Sequence, residues 1–472
     1  MRVLIVGDKK EIIGGVCNYT RPLFNTFYEM EDVEPFYLSS GGLQKNFHYP
    51  LKPYIKKEKH EGKELIYEIV NSDIWMLNYD NIRGDIESIR NDALVDQILD
   101  EIKPDVIHVN EMYGLSVQIL YQAKAKGIKV FNTVHDYRWL CQHKVMIDYN
   151  REICEGPTDI AKCSFCTSRF IGITKDLKKR VAKKNLLPEK VSKFILEIKN
   201  GKPSSKSKVL EELDFGDLDY KTIYKQDLQR EQDLKDRLAA NIQFLNDCDL
   251  VIGVSNEVKD ILMKFGVESS NILVQHIGST IAEQTIEHIK KVNPSNITFG
   301  FIGGVGYYKG IHQMVEAFLM MPKSYQDKAD IKVFGKYSAS YYDAIDEKYN
   351  IKNIPNKIHF YGRYNPAELV GIFNEIDMMV LPSLCNDTAP QTIFESYSGG
   401  IPVIGPEIGG FPDFVIHGEN GLLYEKGSIE GLKNSLMRII DEPELINEFR
   451  KKAPKLKTIK NNAKELLNLY EK

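Results

Sequence analysis

Phe301-Ile302-Gly303-Gly304-Val305-Gly306-Tyr307-Tyr308-Lys309-Gly310 is the stretch on which the fold reading turns. It closes an apolar run that opens at Thr298, breaks it with glycines, and ends in a lysine before the next periodic segment. That order reads strand, glycine turn, helix. Glycine lets backbone N–H groups approach an anion closely, and a helix N-terminus favours negative charge. Lys309 adds a mobile positive charge. Alone the turn is a weak signal, being neither a Walker A loop nor a dinucleotide fingerprint. A second loop answers it about 80 residues later: Pro382-Ser383-Leu384-Cys385-Asn386-Asp387-Thr388-Ala389-Pro390-Gln391-Thr392-Ile393-Phe394-Glu395, with seven residues between Asp387 and Glu395. Together the loops suggest a pocket holding a diphosphate at one end and a sugar or ribose hydroxyl at the other.

The chain around them has 472 residues, enough for two or three domains, and 43% hydrophobic residues to fill their cores. A net charge of −4 gives no global attraction to nucleic acid or an anionic membrane. No stretch reaches the ~20 apolar residues of a membrane span. Met1–Gly7 is too short and too soon broken for a signal peptide, and reads as a first buried strand. A cytoplasmic location is expected.

Strands and helices alternate along the first half. Val3–Val6 runs into a loop ending at Gly14-Gly15, after which Val16, Tyr19, Leu23 and Phe27 repeat at helical spacing. Val106–Val109, Lys129–Val134 and Leu250–Val254 read as further strands, and the second of these delivers His135-Asp136 at its carboxyl end. The pattern restarts after Asn293-Pro294-Ser295, with strands expected at Thr298–Ile302, Asp330–Phe334, Lys357–Tyr361, Met378–Leu381, Pro402–Ile404 and Gly421–Tyr424. Such alternation implies parallel sheets with ligands at the strands' carboxyl ends. Two Rossmann-like halves are expected, residues 1–293 and 294–455, with a last helix at 456–472 that crosses back to the first. Residues 167–240 read as a charged helical insertion in the N-terminal half. Between Arg169 and Lys208 stand 13 basic and 3 acidic residues. Phe170, Ile173, Leu177 and Val181 keep helical spacing there, the pattern of a basic amphipathic helix that lies on a membrane surface or of a solvated helix packed on its own domain.

The run from Pro382 to Glu395, with Gly399-Gly400-Ile401-Pro402 and Gly409-Gly410-Phe411-Pro412 after it, resembles the donor-binding half of retaining glycosyltransferases of family four, which have the GT-B fold. The resemblance spans nearly the whole chain. It implies transfer of a sugar from a nucleotide-sugar (UDP- or GDP-linked) to a hydroxyl on a glycan or lipid-linked acceptor. It also implies stabilisation of the diphosphate by N–H groups and a lysine, without a catalytic metal. In such enzymes the lysine neutralises the diphosphate, which points to Lys309. The first carboxylate of the E-x7-E pair reaches the sugar, which points to Asp387; the second holds the ribose, which points to Glu395. Backbone N–H groups around Ala389–Thr392, the stretch that also contains Pro390 and Gln391, would face the diphosphate, with Gly303 and Gly304 beside them. Ile13-Gly14-Gly15-Val16 matches the family's N-terminal glycine loop, and His135 its cleft histidine. A tight structural turn and a structural strand-end histidine are the plainer readings of those two. The chain departs from the family twice. Gly304 stands where an arginine is common, a charge Arg363 could supply, and Asp387 is one methylene shorter than glutamate.

Four of the seven cysteines, Cys141, Cys154, Cys163 and Cys166, fall in a C-x12-C-x8-C-x2-C pattern. In a reducing compartment this reads as a metal site before it reads as disulfides. A structural zinc ion, an iron–sulfur cluster and free thiols all stand as readings. The competing functions are a GT-B sugar-nucleotide epimerase or hydrolase and a degenerate, non-catalytic partner of an active transferase. A dinucleotide dehydrogenase is disfavoured because the N-terminal loop lacks G-x-G-x-x-G.

Overall fold

Runs of buried aliphatic residues build two sheets, one parallel throughout and one parallel except for a single hairpin. A computed structural model describes residues 1–9, 14–42, 52–74, 78–171, 220–283, 291–354, 356–365 and 368–472. In the N-terminal half the strands are β1 (Arg2–Val6), β2 (Glu34–Gly42), β3 (Tyr54–His60), β4 (Lys63–Val70), β5 (Val106–Val109), β6 (Lys129–Val134), β7 (Leu250–Gly253) and β8 (Ile272–Val274). Their order is β3-β4-β2-β1-β5-β6-β7-β8. Every neighbouring pair is parallel except the hairpin β3–β4. Val3, Leu4, Ile5 and Val6 are wholly buried, as a central strand covered on both faces requires. Each such side chain contributes about 1.5–3 kcal/mol relative to exposure.

The C-terminal sheet contains β9 (Ile297–Ile302), β10 (Ala329–Phe334), β11 (Ile358–Gly362), β12 (Met378–Val380), β13 (Val403–Pro406) and β14 (Gly421–Tyr424). Its order is β11-β10-β9-β12-β13-β14, parallel throughout. The strand order reverses at β1 in one sheet and at β9 in the other. Crevices open at the carboxyl ends of strands at such points. The loop after β9 is the glycine turn 303–310, and Asp387 lies beyond β12.

The last helix, Ile459–Tyr470, lies against the helix Gly15–Tyr28 of the N-terminal half. Tyr19 donates to Asn462 Oδ1 at 2.8 Å, and the Tyr470 hydroxyl is hydrogen-bonded to His108 Nδ1. Its buried face is Ile459, Asn462, Ala463, Leu466 and Tyr470. Thr458 caps its start, accepting from the Asn461 N–H.

The charged segment divides in two. Residues 172–219, with most of the basic 169–208 stretch, lie outside the described residues. The described end is built into the N-terminal half. Helix Leu228–Asp247 buries Arg230, Leu234, Arg237, Asn241, Phe244 and Leu245. Arg237 Nε donates to Asp85 Oδ2 at 2.7 Å and its Nη2 to the Arg138 carbonyl, while Asn241 holds the Trp139 carbonyl. Composition marks this helix as charged, yet several of its polar side chains point inward and are paired. Among the described residues no helix is long and apolar enough to cross a membrane.

Candidate active site

The glycine turn and the second loop are locked to one another. Gly310 sits at φ 69° with its α-carbon so near the Pro382 carbonyl that a β-carbon would lie 1.8 Å from that oxygen. Only glycine fits there. The Leu384 N–H donates to the Tyr308 carbonyl at 2.9 Å. Across this seam Lys309 Nζ lies 2.5 Å from Asp387 Oδ2. The carboxylate raises the Lys309 pKa above its ordinary value, outweighing burial, so the ammonium stays charged. Gly409, at φ 59°, backs the second loop, and the Gly410 N–H donates to the Asp387 carbonyl at 2.8 Å. Pro390 precedes the helix Gln391–Ser398, on which Glu395 sits one turn in. Burial alone pushes the Glu395 carboxyl up to about 7.

These groups face the N-terminal half across a cleft of about 560 Å³. It is lined by Gly14, Gly15, His135, Gly303, Gly304, Lys309, Arg363, Asp387, Ala389, Pro390, Gln391, Thr392 and Glu395, all singled out by the sequence. Gln391 Nε2 donates to the Gly15 carbonyl at 2.7 Å, and Thr388 Oγ1 donates to the His135 carbonyl at 2.5 Å, so the halves already touch at the cleft. His135 Nε2 is 2.9 Å from Asn110 Oδ1, an acceptor, which places the ring proton on Nε2. Burial lowers its pKa to about 4, so the imidazole is neutral near pH 7. Asp136 caps the next turn, accepting from the Arg138 N–H, and pairs with Lys144 at 3.2 Å. His108 is a packing residue, buried between Tyr470 and Thr133.

Sequence reasoning missed Asn18, Gly335, Lys336, Tyr364 and Thr388, which line the same cleft. Lys336 had a signal: it follows β10, the strand beside β9, where the switch-point rule places ligands. With Arg363 it brings cationic side chains to a cleft whose glycine loop lacks one at position 304.

The four clustered cysteines line a separate cavity of about 240 Å³. All four are free. Burial pushes the Cys141 thiol up to about 11 and Cys163 up to about 12, and the neighbouring sulfurs push the same way. Backbone N–H groups of His143 and Lys144 point at Cys141, which favours its thiolate. Among the described residues, however, no three metal-ligating side chains stand close enough together to hold an ion. The structure thus gathers the cysteines without forming the closed tetrahedral set that the spacing suggests.

Residues 283–456 match the family model for glycosyl transferases group 1. The chain carries a glycosyl transferases group 1 domain on a GT-B fold. The group 1 domain thus covers the glycine turn, Lys309, Asp387 and Glu395. A D-inositol 3-phosphate glycosyltransferase of Corynebacterium glutamicum (strain R) is 22% identical over 43% of this chain and 51% of its own length. The chain spans about half the length of the curated relatives it matches. Among solved structures, a sucrose-phosphate synthase from Thermosynechococcus elongatus superposes with a TM-score of 0.61 at 14% identity, covering 100% of this chain and 98% of that one. Anabaena Alr3699/HepE in complex with UDP superposes with a TM-score of 0.59 at 13% identity, over 100% of both chains. At these identities the likeness concerns the fold.

Proposed function

We propose that the chain is a retaining glycosyltransferase that moves a sugar from a UDP- or GDP-sugar to a hydroxyl of a glycan or lipid-linked acceptor. The observation that carries this reading is the Lys309–Asp387 pair, set in a cleft that also holds His135 and the Gly14-Gly15 loop. The UDP complex of the structurally similar HepE supports a nucleotide-sugar donor. In the reaction the bond between the anomeric carbon and the β-phosphate oxygen breaks. The acceptor oxygen bonds to the same face of that carbon, and its proton passes to the departing diphosphate. Negative charge grows on the diphosphate, where Lys309, Lys336, Arg363 and the N–H groups of Ala389, Gln391 and Thr392 offset it without reorganising. Asp387 orients the sugar hydroxyls, Glu395 the ribose, and neutral His135 faces the transferred sugar. The cleft lies between halves 1–293 and 294–455, joined near residue 293, and the return of helix Ile459–Tyr470 ties the second to the first.

In the same reading the cysteine cavity would hold a structural zinc ion, with Cys141, Cys154, Cys163 and Cys166 drawn together as its thiolate ligands. When bound, the ion would brace the loop beside the cleft. Metal analysis of the purified protein tests this: one zinc per chain, lost in Cys163→Ser, supports it, and metal-free protein with full stability removes it.

Product analysis tests the central proposal. Nucleoside diphosphate released from UDP-glucose or GDP-mannose only when an acceptor glycan is present supports transfer. Release without acceptor indicates a hydrolase, and an isomerised donor an epimerase.

A further inference from the structure

Arg151 stands at φ 66°, in the left-handed region that is costly for any residue with a side chain. Glycine would make the same turn without that strain. What the Arg151 side chain touches is therefore of interest. The turn itself is held by its own hydrogen bonds. Asp148 Oδ1 accepts from the N–H groups of Asn150 and Glu152, Ile147 bridges Ile153, and Asp148 Oδ2 pairs with Lys162 at 2.8 Å. Lys162 belongs to the helix that carries Cys163 and Cys166. From this anchored hairpin of the N-terminal half, the Arg151 guanidinium reaches across to the C-terminal half. It lies 4.8 Å from the centre of the Tyr307 ring. Tyr307 also stacks on His312, with centroids 4.9 Å apart and planes 16° off parallel. Tyr307 opens the turn Tyr307–Lys309, whose last residue makes the ion pair with Asp387.

We propose that Arg151 is a positioning residue for the donor loop. Its guanidinium packs on Tyr307 and holds the turn in the conformation that points Lys309 into the cleft. The contact exists only when the two halves are together, so it couples their closure to the readiness of the phosphate site. The inference rests on the donor-site reading for its consequence, but the contact can be tested without a ligand.

The experiment is a double-mutant cycle on Arg151→Ala, Tyr307→Leu and the pair, with Arg151→Lys and Tyr307→Phe as conservative controls. Hydrogen exchange of peptides covering residues 303–310 is followed in the free protein, and titration with UDP and GDP is carried out alongside. Faster exchange at 303–310 is expected in each single variant, with no further increase in the pair. The lysine and phenylalanine variants should recover most of the protection. Affinity for the nucleotide that wild type binds should fall by about five- to tenfold, the size of a partly buried cation–aromatic contact. KM for the donor should rise by a similar factor with kcat little changed. Unchanged exchange in Arg151→Ala, or additive effects in the pair, would overturn the proposal whatever the ligand result. Wild type that binds neither nucleotide would instead count against the donor-site reading and leave the exchange result to decide the Arg151 contact.

Discussion

Lys309 and Asp387 are 78 residues apart in sequence and 2.5 Å apart in space. The ammonium is presented to the cleft already paired, so an incoming diphosphate must share it with, or take it from, the carboxylate. Asp387→Asn leaves Lys309 without its counter-charge. Tighter binding of free nucleoside diphosphate, together with lower turnover of the nucleotide-sugar, is the expected outcome. Calorimetry and initial rates on the same variant check both halves of it.

Glu395 links the site to pH. Burial holds its carboxyl protonated up to about 7, against an ordinary value of 4.5. Between those values the folded chain binds a proton that the unfolded chain releases, so this group makes stability fall as pH rises. Glu395→Gln should remove that contribution. The variant is expected to match wild type in thermal unfolding at pH 4.5 and to melt higher at pH 8. A lower melting temperature at pH 8 would contradict the assignment.

Buried histidines act in the opposite direction. Burial lowers His135 to about 4, and burial together with the charge of His135 lowers His108 to about 3. Below the unfolded value near 6.5 the unfolded chain binds protons that the folded chain refuses, so stability falls with pH down to about 4 and then levels at this group. His135→Gln should flatten the acid limb between pH 6 and 4. Denaturant unfolding at several pH values in that window would show it.

Arg237 and Asp85 form a buried pair, with side chains 4% and 8% exposed. Burial pushes the Asp85 carboxyl up, but Arg237 and Arg138 outweigh it and leave it below the usual range. Removing Arg237 leaves the buried Asp85 carboxylate with the more distant Arg138, at 3.6 Å, as counter-charge. Arg237→Met should cost about 3–5 kcal/mol, and adding Asp85→Asn should recover part of it. Urea unfolding of the single and double variants measures both.

Much of the fold was legible because central parallel strands are short, largely apolar runs. Val3–Val6, Val106–Val109, Lys129–Val134 and Ile297–Ile302 need no partner to be recognised. Strand β3, Tyr54–His60, is different: Lys56, Lys57, Glu58 and Lys59 cover an edge, and edges are kept charged to discourage further pairing. In the helix Leu228–Asp247 a charged composition hides buried positions, since Arg230 and Arg237 are buried by being paired rather than by being apolar. At the site, glycine spacing and the two carboxylates marked both loops of the C-terminal half. Asn18 left no comparable mark because it meets those loops only across the cleft, from the other half; Lys336 and Tyr364 follow β10 and β11 in the same sheet as the loops, and only the switch-point rule, not a motif, points to them. The four spaced cysteines line one cavity, but spacing cannot fix the sulfur-to-sulfur distances on which metal geometry depends.

The most direct measurement is calorimetric titration of wild type and Lys309→Ala with UDP, GDP and ADP. The account predicts selective binding of UDP or GDP by wild type. In the variant, affinity should fall by about ten- to a hundredfold, as expected for loss of a charge-assisted contact of about 1.5–3 kcal/mol. Equal affinity in the two proteins, or no binding of any nucleoside diphosphate by wild type, would contradict it.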